Sequence, residues 1–246
     1  MPQRPSDRSD AIVAQAEAEP LTSPERPERE GTTLSLSELA YERILEMLFA
    51  RRLPAGAFVS QNDLVGIVGV PVAPLRDALR VLQTEGLLTI HPRSGIRFLK
   101  PDFEFARHTY QFRSVLERPA VRVFAEMATP ERIMAIRVRH EACIALLAET
   151  GFTADVAREA VALDALLHFE IIGALGNPLI ESTYRRVHNY LQLIRLDRTL
   201  SGPIVLRTLK EHLDLLDACL ARDPDRAEAS LQLHFTQALQ RTMGIF

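Results

Sequence analysis

From residue 101 onward the chain is punctuated by short helix-stopping breaks: ATPE at 128–131, ETGFT at 149–153, GNP at 176–178, SGP at 201–203 and RDPD at 222–225. Between them the apolar residues recur at helical spacing, which predicts helices at roughly 102–127, 130–150, 154–175, 178–200, 204–222 and 224–243. The first is expected to bend at Pro119, which has no amide hydrogen to donate. Connections this short make consecutive helices antiparallel neighbours, so the stretch is constrained to an all-α antiparallel bundle.

The pattern before residue 101 is different. Ser35 with Glu38 forms a capping box, and Leu39, Ile44, Leu45, Leu48 and Phe49 give the helix that follows an apolar face ending near Arg51. LPAG at 53–56 is a turn, and Ser60 with Asp63 opens a short helix that stops at Gly69. Pro74 marks the start of a third helix carrying Leu75, Leu79 and Leu82, which ends before Gly86. LLTIHP and IRFLK, joined by RSG, read as a small β-hairpin. The expected class is therefore mainly α: an N-terminal winged helix-turn-helix of three helices plus a hairpin at 32–100, then the helical bundle at 101–246. Residues 1–31, rich in Pro, Ser, Arg and Glu, are too poor in apolar surface to offset chain entropy and are expected to be a disordered tail.

Composition excludes several classes. No apolar run approaches the roughly 18 residues of a membrane span, and MPQRPSDRSD lacks the apolar stretch of a secretory signal, so no membrane partner and a cytoplasmic location are expected. Cys143 and Cys219 sit inside apolar helical patterns and suit core packing better than a disulfide. The net charge of −3 is unevenly spread: residues 71–100 hold five basic side chains against two acidic ones. In a winged helix-turn-helix the third helix enters the major groove. Arg76 and Arg80 lie one turn apart on the face opposite the leucines, where guanidinium groups reach phosphates and guanine edges. At the hairpin tip His91, Arg93 and Arg97 surround Gly95, whose missing Cβ permits close approach to another backbone.

A second constellation lies in the bundle. Asp164 and His168 stand four apart in VALDALLHFEII, so they share one helix face. His212 and His234 each lie eleven residues from Asp223 at the centre of the RDPD break, which puts them at one height on an antiparallel pair of helices. Two readings fit: a buried hydrogen-bonded network, or a carboxylate and three imidazoles suited to Zn²⁺, Ni²⁺, Mn²⁺ or Fe²⁺.

The segment from AYERILEMLF to RSGIRFL resembles the DNA-binding domain of the GntR family of bacterial transcription regulators. It shares the P-x-G turn, the approach to Gly-Val, P-L-R-x-A-L-x-x-L-x-x-E-G-L and a glycine-containing wing. Pro71 and Val72 stand where that family usually has Ser-Arg, so an arginine commonly used on the operator is absent. Residues 105–240 resemble the FCD ligand-binding domain of the FadR-like branch, through Arg113 with Glu117, Asp164 with His168, G-N-P, Glu211-His212 and His234. The resemblance implies a divalent metal on Asp164, His168, His212 and His234, operator DNA as partner, a homodimer and a small organic acid or related metabolite as effector. It also implies Arg113 as the effector's anchor, against the alternative of an Arg113–Glu117 surface pair. The resulting reading is a ligand-responsive transcriptional regulator that represses, and not an enzyme. Its rivals are a metal-dependent helical-bundle enzyme such as a hydrolase, and a metal-free regulator with a structural Asp/His network.

Overall fold

The computed structural model describes residues 34–196 and 200–244. The expected tail at 1–31 lies outside these residues. The chain divides between Pro101 and Asp102 into two compact units.

In the first unit, α1 (Leu36–Phe49), α2 (Gln61–Val68) and α3 (Val72–Thr84) enclose a small leucine core. Both capping boxes form: Ser35 accepts from the Glu38 amide at 3.2 Å, and Ser60 from the Asp63 amide at 3.1 Å. Gly69 closes α2 at φ 69°, a left-handed conformation open to glycine at little steric cost. Leu75, Leu79 and Leu82 of α3 are buried with Ile44, Leu48, Leu53 and Leu64, which leaves the opposite face of α3 to solvent.

Two details differ from the expectation. The third helix begins at Val72, two residues before Pro74, because the first-turn amides of a helix have no internal partner and a proline there forfeits nothing. The hairpin of β2 (Leu88–His91) and β3 (Gly95–Phe98) is also part of a three-stranded antiparallel sheet, ordered β1-β3-β2, with β1 at Phe58–Val59. A two-residue strand has no periodicity to read; pairing with a partner far along the chain creates it.

The second unit comprises α4 (Phe103–Met127), α5 (Pro130–Thr150), α6 (Ala154–Gly173), α7 (Pro178–Leu196), α8 (Gly202–Leu220) and α9 (Pro224–Thr242). Thr129, Thr153 and Asp223 in the breaks accept hydrogen bonds from first-turn amides, so these breaks are also helix caps. The helix α4 runs as one element through Pro119; the carbonyl that loses its donor there is that of Val115, an exposed residue that water can serve. The pair α8 and α9 packs side by side, α4 lies against α9, and α5 packs on α6 and α8. Leu167, Ile171, Leu215, Leu216, Leu231 and Phe235 meet in the main core, while Cys143 and Cys219 are free thiols buried among apolar residues. No helix among the described residues is long and apolar enough to cross a membrane.

Candidate functional site

The apolar residues that bury α6, α8 and α9 also determine where their polar side chains go. Leu163 and Leu167 are fully buried, so Asp164 and His168 beside them are carried into the bundle; Leu215 and Leu216 do the same for His212, and Leu231 and Phe235 for His234. Asp164, His168, His212 and His234 each offer one ligand atom, and these atoms all lie within 4.8 Å of one another. All four residues are buried, at 6 %, 1 %, 0 % and 2 % exposure, which makes the cluster an interior feature rather than a solvated charge patch. His212 and His234 face each other across the α8–α9 pair with ring centroids 4.7 Å apart.

The hydrogen bonds at the back of each imidazole orient the cluster. Nδ1 of His168 donates to Glu117 Oε2 at 2.5 Å, and Nδ1 of His234 donates to Glu211 Oε2 at 2.8 Å. Both carboxylates are held in turn. Glu117 Oε1 accepts from Arg113 Nε at 2.5 Å, and Glu211 takes a bidentate pair from Arg241 at 2.6 and 2.8 Å. His212 Nδ1 lies 3.1 Å from His140 Nε2.

At the front, the Nε2 atoms of His168, His212 and His234 are buried without a hydrogen-bond partner in the protein. An unsatisfied buried polar atom costs roughly 1–3 kcal/mol, so three converging ones are a recurring penalty with one common remedy. Asp164 Oδ1 stands 3.9 Å from His168 Nε2 and 3.7 Å from His212 Nε2. Donor atoms ~2.1 Å from a tetrahedral cation stand ~3.4 Å apart, so the observed separations match a first-row divalent ion after a small contraction. The donor set therefore fits such a metal: three imidazole nitrogens, one carboxylate, and outer partners that fix each ring.

The electrostatics agree. Burial works to raise the Asp164 carboxyl, yet Arg195, His168 and Arg113 hold it well below the ordinary range. Arg195 supplies the closest countercharge, 2.8 Å from Asp164 Oδ2. Burial also opposes ionisation of Glu117, and is outweighed by Arg113 and His168. Burial pushes His212 well down, and brings His234 down to about 4, so both rings are neutral and keep a lone pair.

The structure corrects one alternative for Arg113. It is not half of a surface pair: Arg113 and Glu117 are both fully buried. The guanidinium lies 4.5 Å from the Phe235 ring centroid, and its two terminal nitrogens are buried with no partner in the protein.

On the first unit, Arg76, Arg80 and Arg93 are exposed. Arg76 Nε donates to Gln61 at 3.3 Å, Arg80 sits 3.5 Å from Asp77, and Arg93 occupies the hairpin tip at φ 64°. The close approach expected at Gly95 is internal to the sheet. A Cβ on Gly95 would stand 2.7 Å from the Val59 carbonyl oxygen and 3.0 Å from the Phe58 ring, so β1 already fills the space.

Sequence reasoning passed over His140 and Arg195, and gave Glu117 and Glu211 only their places in motifs. Asp164 and Arg195 lie on different helices, so no local spacing joins them. Glu211 is adjacent to His212, and neighbours on a helix point about 100° apart, which sends it behind the cluster to His234 Nδ1 and Arg241.

A winged helix-turn-helix followed in the chain by a helical unit with a buried polar centre defines a class, the two-domain DNA-binding regulator. The chain belongs to the gntR family of bacterial regulatory proteins, whose family model matches residues 36–98, and carries the FCD domain, matched over residues 108–237. It is similar to the Nta operon transcriptional regulator of Aminobacter aminovorans, 28 % identical over 77 % of this chain and 88 % of that protein. It is also similar to the transcriptional repressor NanR of Salmonella arizonae, 25 % identical over 93 % of this chain and 92 % of that one. In fold it resembles E. coli McbR/YncC, with a TM-score of 0.70 at 17 % identity, covering 86 % of this chain and 99 % of that one. These families and relatives are transcriptional regulators, which sets the enzyme alternative aside.

Proposed function

We propose that this regulator is a homodimeric repressor whose helical domain holds a divalent metal and senses a small carboxylate-bearing metabolite. The observation that carries the metal is the set of three buried Nε2 lone pairs converging with Asp164, each ring fixed from behind through Nδ1. Asp164, His168, His212 and His234 are the assigned ligands, and Zn²⁺, Ni²⁺, Mn²⁺ and Fe²⁺ all suit them. Bound there, the metal supplies a Lewis-acidic point for an anionic ligand oxygen. Arg113 is the chain's own contribution to anion recognition: its terminal nitrogens have donors to spare, and Glu117 links it directly to His168. A carboxylate on those nitrogens would satisfy donors that the protein leaves open.

Repression is supported by the named function of NanR, and DNA contact by the exposed arginines of α3 and the wing. An effector that prefers one arrangement of the helical unit changes operator affinity by the same coupling free energy with which DNA changes effector affinity. One observation favours the metal-free network as a second reading: Asp164 already has a countercharge in Arg195. Elemental analysis of the untagged protein and of Asp164→Ala separates the two. About one divalent ion per chain, lost in the variant, supports the metal; none after reconstitution with any of the four ions rejects it.

A further inference from the structure

Among the outer partners of the three imidazoles, two are carboxylates and the third is His140. It lies on α5, outside the four residues assigned to the metal, and is fully buried. Its two hydrogen bonds determine where the protons sit. Nδ1 of His140 lies 2.9 Å from the carbonyl oxygen of Ile136, one turn earlier on the same helix. A carbonyl only accepts, so Nδ1 of His140 carries the hydrogen. Neither of its bonds is to a carboxylate that would call for a second ring hydrogen, so with Nδ1 donating, Nε2 is the nitrogen left to accept. That lone pair faces His212 Nδ1 at 3.1 Å, so the hydrogen between the rings belongs to His212.

We infer that His140 is a positioning residue that locks His212 in its Nδ1–H tautomer and thereby delivers the His212 Nε2 lone pair to the cluster. The chain of constraint starts in the backbone. The Ile136 carbonyl orients His140, His140 selects the tautomer of His212, and the free lone pair of His212 is left 3.7 Å from Asp164 Oδ1. Glu117 and Glu211 do the same work for His168 and His234 by charge; His140 does it by tautomer alone and adds no charge to the interior. A helix that supplies no ligand thus enters the definition of the site. The metal consequence rests on the reading proposed above, whereas the tautomer does not.

Nitrogen-15 NMR of the full chain with labelled histidine, after chelator treatment, reads the tautomer of each ring directly. The expected result is His212 protonated at Nδ1; protonation at Nε2 overturns the inference whether or not the protein takes a metal. His140→Leu keeps volume but removes the acceptor, and the expected outcome is a mixed or inverted His212 tautomer and a 10- to 100-fold weaker Co²⁺ affinity, the scale on which outer partners act. His140→Gln restores an acceptor for His212 and is expected to recover most of that affinity. An unchanged His212 tautomer in a folded His140→Leu protein overturns the assignment. Should that variant fail to fold, the wild-type tautomer and the His140→Gln protein still decide it. Wild-type protein with the expected tautomer that binds neither Co²⁺ nor any of the four assigned ions sinks the metal reading and leaves the His140–His212 lock intact.

Discussion

At the scale of single residues, the second unit buries charge only where it is answered. Arg113 and Glu117 show this most sharply, because neither reaches solvent and each is the other's nearest counterion. Replacing Glu117 by Ala strands a buried guanidinium and unties His168; urea unfolding should show a loss of about 3–5 kcal/mol, the cost of breaking a buried pair from one side. A loss under 1 kcal/mol would mean that the pair is not buried in solution. Protons supply a second test. His188 and His234 are each held down to about 4, by burial first and then, respectively, by Arg195 and against the pull of Glu211. An unfolded histidine takes its proton near 6.5, so between about 6.5 and 4 the unfolded chain binds more protons than the folded one and stability falls as the pH falls. The buried carboxylates of Glu117 and Asp164, whose folded values are depressed, add a loss in the same direction below the ordinary carboxylate range. Melting of the chelator-treated protein from pH 7 down to pH 4 should show a steady decline, and a flat profile would contradict the burial of these rings.

At the scale of elements, α3 divides its duties by face. Its leucines hold the module together, while Arg76 and Arg80 reach solvent and make only exposed polar contacts, to Gln61 and Asp77. Alanine at either arginine should weaken operator binding and reduce the slope of log affinity against log salt by about one, with melting unchanged. An unaltered slope would remove α3 from the phosphate contacts. In the sheet, Gly95 is spent on β1: alanine there meets the Val59 carbonyl and is strained at φ 146°. Faster amide exchange at Phe98, which bonds to the Ala57 carbonyl, is the expected signature of Gly95→Ala. The helices were legible because period and punctuation are local properties; 130–150 could be read from ATPE, ETGFT and the apolar spacing between them. The strand β1 was not legible, since two residues become a strand only by pairing with Arg97 and Ile96. Within the candidate site, the pair Asp164 and His168 could be read from an i,i+4 spacing and the pair His212 and His234 from a hairpin symmetry, while their union in one set of four came from the family resemblance. The residues that orient it could not, because Arg195 and His140 meet their partners across helices that no spacing relates.

At the scale of the whole molecule, the ligand atoms come from α6, α8 and α9, so a cation held there would tie three helices at once. Adding metal at 100 times its dissociation constant should stabilise the helical unit by about 2.7 kcal/mol, read as a higher melting temperature that chelation reverses. No shift with saturating metal would count against the assigned ligands. The division between Pro101 and Asp102 carries a consequence for any such experiment. Each unit has its own buried core, so heating need not melt the chain in one step, and a single midpoint would average two unlike events. Calorimetry resolves them and turns the chain into its own reference: DNA should move the transition of the winged unit, metal that of the helical unit. A metabolite's address on the molecule can then be read from which transition it moves, and communication between the halves from any movement of the other.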